Sequence, residues 1–292
     1  MNHLAHRRGT RPLVNAFSVR SGPTRTITVP RASVLAALQD VTVSGTLFRK
    51  QVIALDPTTG RRQVSLGARG GLYSIEADGD LHFCLGALPL QPHITCELQN
   101  AKAWLTAFQA AVGQPISVAG FFRCLFEHPG FDSIDDAHIF EIHPVRAVTL
   151  GGRTLTFNVD IPEQRSIHTW TSPHPLNDQD GRIRVLYDQG KDIWTFTNMD
   201  GKDENYVRVA GLISNVNLNV GGGAPATFTL TSPDVGHPIQ TLCLRGTTAA
   251  RQLRQLASPS VSMVALRNID LRQALANQYV INLLAIDIQP GG

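Results

Sequence analysis

Val41-Thr42-Val43-Ser44-Gly45-Thr46-Leu47 and Val207-Arg208-Val209-Ala210-Gly211-Leu212-Ile213 match position for position in their apolar residues and their glycine. Both alternate with period two, the mark of a strand with one buried face. A glycine inside such a strand suits a bulge or a tight bend of a closed sheet. In the first stretch Thr42, Ser44, Thr46 and Phe48 then face outward.

The elements that follow each stretch come in a similar order. After the first comes a loop holding Asp56-Pro57-Thr58-Thr59-Gly60, then a strand over 72–77, a turn at Asp78-Gly79 and a strand over 81–85. Asp-Gly between alternating segments is a strong hairpin signal. A short extended piece covers 94–98. Asn100 reads as an N-cap, and Trp104, Leu105, Phe108, Ala111 and Val112 form a helical stripe ended by Gly113 and Pro115. Strands over 116–125 and 138–150 close the unit. The second unit is read as strands over 193–198 and 206–215, a Gly221-Gly222-Gly223 loop, and strands over 227–230 and 239–244. A helix after Thr248, strands over 261–266 and 279–288, and a short helix at 271–276 complete it. The order β-β-β-α-β-β is that of the OB barrel, with the helix between strands three and four.

The expected fold class is therefore all-β, with two tandem OB-fold-like five-stranded barrels. Residues 1–39 read as an Arg-rich N-terminal arm, 40–150 as the first barrel, 151–190 as a β-containing connector and 191–290 as the second barrel. A strand is expected at Thr26-Ile27-Thr28-Val29 within the arm. The connector holds strands over 155–159 and 183–187, and a surface loop with His168, Trp170 and His174.

Bulk properties narrow the class. A chain of 292 residues has room for two cores. With 42% apolar and 17% charged residues it is not a disordered polyelectrolyte. No apolar run is long enough to cross a bilayer, and the first thirty residues lack a secretory apolar core, so no membrane partner is expected. Cys84, Cys96, Cys124 and Cys243 stand singly in apolar strand segments, which predicts reduced thiols and a cytoplasmic protein. The net charge of +3 is uneven. Arg7, Arg8, Arg11, Arg20, Arg25 and Arg31 fall in the first 39 residues without one acid, and the rest of the chain is net negative. Such an arm can neutralise phosphates. It is also a solvated tail in composition, and it has the Arg-rich, acid-free character of a mitochondrial transit peptide.

Gly79-Asp80-Leu81-His82-Phe83, Cys96-Glu97 and His138-Ile139-Phe140-Glu141-Ile142-His143-Pro144-Val145 carry a resemblance. Together they resemble bacterial OB-like domains with an Asp-x-His hairpin strand and a closing Trp/Phe-Glu-Ile/Leu-His-Pro-Val/Leu strand. The resemblance covers about residues 41–150, with Phe140 where tryptophan is common. That family is mostly uncharacterised, so it implies a fold and no activity.

Alternation puts Leu81, Phe83 and Leu85 on one face of their strand and Asp80, His82 and Cys84 on the other. On the closing strand, Phe140 and Ile142 oppose Ile139, Glu141 and His143. With the first of these strands taken as the third of the barrel, Asp80, His82, Glu141 and His143 meet on an outer patch, with Glu97 nearby. Imidazoles and carboxylates suit a metal or general acid–base work. The plainer reading, a hydrogen-bonded polar patch that fixes closure, is the one adopted, with no metal, cofactor or catalytic residue assigned. Nucleophile-elbow, phosphate-loop, zinc-protease and Cys-x-x-Cys signatures are missing.

The first functional expectation is a non-catalytic single-stranded nucleic-acid-binding protein, DNA or RNA. Arg7, Arg8 and Arg11 of the arm, Phe48, and Arg49, Lys50, Arg61, Arg62 and Arg69 of the loop after strand one would hold the strand. The second barrel would take a protein partner or a second copy. The alternative is a protein-interaction or assembly module without nucleic-acid binding. A metal-dependent enzyme built on the polar patch is the lesser third.

Overall fold

The first strand of each barrel is long because it serves two neighbours in turn. The computed structural model describes residues 24–28, 39–48, 51–55, 62–66, 81–86, 93–124, 140–161, 167–169, 184–190, 193–197, 206–218, 224–233, 235, 237–276, 278 and 280–292. Within these, β1 (Thr24–Thr28) precedes the first barrel, which begins with β2 (Gln39–Phe48). Residues Gln39 to Thr46 of β2 pair antiparallel with β7 (Pro115–Cys124). From Thr46 to Phe48 the strand pairs instead with β5 (Leu81–Gly86). Between β2 and β5 the chain makes a two-stranded ladder of β3 (Gln51–Leu55) and β4 (Arg62–Leu66). β5 pairs with β6 (His93–Leu98), and β6 runs parallel to β8 (Phe140–Leu150) at Thr95 and Cys96. β8 pairs with β7, which closes a five-stranded barrel. A 3-10 turn (Ala101–Trp104) and α1 (Leu105–Ala110) lie between the third and fourth barrel strands. β9 (Arg153–Thr156) extends the sheet beside β8.

β10 (Ile167–Thr169), β11 (Arg184–Asp188) and β12 (Ile193–Thr197) precede the second barrel. Its first strand is β13 (Tyr206–Asn217). Tyr206 to Leu212 pair with β16 (Ser260–Ile269), and from Leu212 onward β13 pairs with β14 (Ala226–Thr231). β14 pairs with β15 (Ile239–Cys243), β15 runs parallel to β17 (Ile281–Pro290), and β17 pairs with β16. α2 (Thr248–Gln255) again separates the third and fourth strands, and α3 (Leu271–Ala274) sits before the last. The protein is all-β with two closed five-stranded OB barrels.

The sequence match now has a geometric cause. Thr46 is the residue that pairs with both Pro115 and Gly86, and Leu212 pairs with both Ser260 and Thr231. Each follows directly on the matched glycine. At Gly211 a Cβ would strike the carbonyl of Thr231, so the crossing between two partners needs a bare backbone. Alternation fills the interiors: Val41, Val43 and Leu47 in one, Val207 and Val209 in the other, all buried. Phe108 of α1 packs on Phe83 with ring centroids 4.9 Å apart. Thr247 caps α2, its hydroxyl accepting from the Ala250 amide at 3.3 Å. Gln252 of α2 accepts from the Ile288 amide at 2.8 Å and donates to Asp287 at 2.6 Å, fixing the helix to the last strand where its register slips.

Several readings need correction. Residues 81–86 form the second strand of the first barrel and 93–98 the third, so the strand with His82 does not neighbour β8. The basic loop after β2 contains a hairpin, β3–β4, whose Gln-Val-Ile-Ala-Leu and Arg-Gln-Val-Ser-Leu strands have no clear two-fold pattern. Asn100 is not a side-chain cap. It takes a left-handed conformation with φ 51°, and its side-chain Nδ2 donates to the Ile161 carbonyl at 3.1 Å. β12 belongs to a separate three-stranded sheet, β1-β12-β11, and the second barrel starts at Tyr206. Residues 167–169, read as loop, pair parallel with β13. The strand expected at 72–77, the Asp78-Gly79 turn, Trp170 and His174 lie outside the described residues.

Gly211→Ala is expected to cost about 1–3 kcal/mol through overpacking at the crossing. Equilibrium denaturation checks it: the midpoint should fall while the folded circular-dichroism spectrum keeps its β signature.

Candidate functional site

The expected polar patch exists, yet it is buried. His82 of β5, Glu97 of β6, Arg123 of β7, and Glu141 and His143 of β8 project from the outer surface of the first barrel. Their exposures are 5, 0, 0, 1 and 0%. Four strands bring them together: β6 lies between β5 and β8, pairing His82 with Glu97 and Thr95 with Glu141, and β7 pairs Arg123 with Glu141. Asp80 lies outside the described residues. Arg123 was not foreseen. Its position, after Phe121 and Phe122 near the end of an apolar strand, carries one signal: a charge facing the same side as the patch on a neighbouring strand.

The contacts form a continuous network. His82 Nε2 lies 2.9 Å from Glu97 Oε2. His143 Nδ1 lies 3.0 Å from the same Glu97 oxygen and 3.2 Å from Glu141 Oε1. Arg123 Nη1 donates to Glu141 Oε1 at 3.0 Å and stands 2.8 Å from His143 Nδ1. Two carboxylates thus face one fixed cation and two imidazoles. Burial pulls the His143 pKa down, but the Glu97 charge and the hydrogen bonds to Glu141 and Glu97 outweigh it and raise it from 6.5 to about 10. Burial pushes Glu97 up, but the charges of His143 and His82 outweigh that and hold it well below 4.5.

The second barrel reaches this network at His143. Tyr206, the first residue of β13 and fully buried, places its hydroxyl 2.9 Å from His143 Nε2 and accepts from Gln99 Nε2 at 2.5 Å. Its ring meets the His143 imidazole edge-on at 5.7 Å. Beside it Phe121 packs with Val264, Leu266, Leu284 and Ile286 from the outer faces of β16 and β17. Asn268 Oδ1 accepts from the Cys124 amide at 2.9 Å. Arg146 donates to Asp40 and to the Arg245 carbonyl, at 2.6 Å for the latter. Burial raises the Asp40 pKa against the lowering effect of Arg146.

Position by position, the nucleic-acid residues fare differently. Phe48 ends β2 and Arg62 opens β4. Arg49 and Lys50 fall between β2 and β3, and Arg61 directly precedes β4; these three lie outside the described residues, as do Arg7, Arg8, Arg11 and Arg69. The outward side chains of β5 and β6 in the first barrel are sealed, since His82, Cys84, Thr95 and Glu97 are exposed by 5% or less. In the second barrel the corresponding Thr229 is half-buried and Thr231 and Gln240 are exposed. All four cysteines are buried, and burial pushes the Cys243 thiol to about 12. No helix among the described residues is long and apolar enough to cross a membrane.

No family model matches the chain, and no curated protein matches it. Among solved structures it is similar to the wild-type single-stranded DNA binding protein from Thermus aquaticus, at 12% identity and a TM-score of 0.23, over 87% of this chain and 92% of that one. A deletion mutant of the same protein gives 12% identity and 0.23 over 87% and 94%. At that identity and superposition nothing of those proteins' activity carries over to this chain.

Two outcomes follow from the network. Arg123→Ala leaves Glu141 buried without its guanidinium and is expected to cost about 3–5 kcal/mol in urea denaturation. His143 holds its proton more tightly folded than unfolded. Its contribution is therefore complete below pH 6.5 and is lost as pH rises toward 10. Glu97 acts oppositely, its contribution present above pH 4.5 and lost as pH falls below it. Unfolding free energy measured from pH 4 to 10 should peak between about 5 and 6.5 and fall on the alkaline side by up to about 1.4 kcal/mol per pH unit.

Proposed function

We propose that the protein is a non-catalytic single-stranded nucleic-acid-binding protein. The observation that carries this reading is the hairpin β3–β4, inserted between the first and second strands of the first barrel. OB barrels hold oligonucleotides with this connection and with the face of strands two and three. Here the connection is a ladder of five residue pairs, with Arg49 and Lys50 preceding β3 in the sequence, Arg61 preceding β4 and Arg62 its first residue. Such basic residues neutralise phosphates, and the arginines of the arm add to them. β1, at the end of the arm, pairs with β12 in the three-stranded sheet β1-β12-β11. The face of β5 and β6 takes no part, because it is buried. Phosphate contact therefore dominates over base stacking, and binding is sensitive to salt and tolerant of sequence.

A second reading, a protein-interaction or assembly module, is favoured by a different observation. Leu212 at 56% and Val216 at 44% are exposed on β13, within a stretch from Gly211 to Thr231 that carries no charge.

Fluorescence anisotropy of labelled single-stranded DNA and RNA decides between them. Arg61→Glu with Arg62→Glu should weaken binding at least tenfold and flatten its salt dependence. Unchanged affinity in that variant, or no binding by the wild type at low salt, refutes the nucleic-acid reading; salt-independent self-association on a sizing column then supports the module.

A further inference from the structure

The buried network holds more ligating chemistry than barrel closure requires. His82, Glu97 and Glu141 each offer one ligand atom, and these atoms all lie within 4.8 Å of one another. They come from three strands, β5, β6 and β8, so the ladder itself fixes their spacing. We propose that these three residues form a binding site for a divalent transition-metal cation such as zinc or manganese.

Glu97 and Glu141 bring two carboxylates together in a region exposed by 5% or less, where Arg123 and His143 already orient them. An imidazole with two carboxylates is a mixed nitrogen and oxygen donor set of borderline softness, suited to zinc and manganese. Metal–ligand bonds of about 2.1 Å in tetrahedral geometry set ligand atoms about 3.4 Å apart. The 2.9 Å contact between His82 Nε2 and Glu97 Oε2 has only to open by a few tenths of an ångström.

The outer partners are already in place. Arg123 donates to Glu141, and His143 stands 3.0 Å from Glu97 with its other ring nitrogen 2.9 Å from the Tyr206 hydroxyl. Metal-bound carboxylates need such hydrogen bonds to hold their orientation. Arg123 also opposes the ion by its charge, so the site is one of moderate affinity.

The test uses the full chain, free of any purification tag and stripped with a chelator. Titration with zinc chloride or manganese chloride should raise the melting temperature by several degrees and saturate near one ion per chain, read by elemental analysis after gel filtration. In His82→Gln the bound ion and the temperature shift should both be lost. Because His82→Gln can also weaken packing, cobalt(II) binding to the wild type gives a second readout through visible absorption bands. A wild-type protein that retains no ion and whose melting temperature stays put at tenfold molar excess overturns the proposal. So does a stabilisation equal in wild type and His82→Gln, which would place the ion elsewhere. No nucleic acid enters the experiment, so its outcome is separate from that of the binding reading.

Discussion

A closed five-stranded barrel exists here only because its first strand changes partner part-way along. β2 leaves β7 for β5 at Thr46, and β13 leaves β16 for β14 at Leu212. The strand must bend sharply where it does so, and its backbone comes against a neighbour with no room for a side chain at Gly211. Every later element depends on that bend. It sets the parallel contact of the third and fifth strands, and in the first barrel that contact is what lines up Glu97 with Glu141 and His143.

The two barrels use the same architecture for unequal ends. In the first, the outer faces of β5, β6 and β8 carry ionisable side chains and are buried, partly under Tyr206 of the second barrel. In the second, the outer faces of β16 and β17 carry Val264, Leu266, Leu284 and Ile286, which pack on Phe121. The junction is therefore part apolar and part ionic. The apolar part supplies favourable burial at about 25 cal/mol per Å². The ionic part supplies little net stability, because removing charge from water offsets what pairing returns. Its value is orientation, since Tyr206 can meet both His143 and Gln99 in one arrangement of the barrels.

Much of the fold was legible because period two and glycine placement report directly on strands. The Val-x-Val-x-Gly match located both first strands, and the alternation at Leu81, Phe83 and Leu85 put His82 on the outer face. Strand order was less legible. Residues 81–85 and 94–98 are both short and apolar, and the ladder that makes them second and third strands is a long-range fact. The burial of the patch was not legible at all. Glu97, Arg123, Glu141 and His143 have the composition of a solvated surface, and nothing in their spacing foretells that they are buried or that Tyr206 of the second barrel lies against His143. Tyr206 shows the same limit, since its apolar ring and hydroxyl fit a core or an interface equally well.

The sealed face also decides how any nucleic acid would have to lie. An OB barrel that binds with its sheet offers flat side chains for bases, and among the described outward side chains of β5 and β6 His82 and Glu97 are engaged with each other. What remains is the edge: the β3–β4 hairpin and the arm that leads into β1. Contacts made from an edge reach the phosphates before the bases. The buried network and the basic hairpin are thus separate pieces of chemistry on one barrel, one sealed on its outer face and satisfied by its own ion pairs, the other placed on the connection that OB barrels use for ligands.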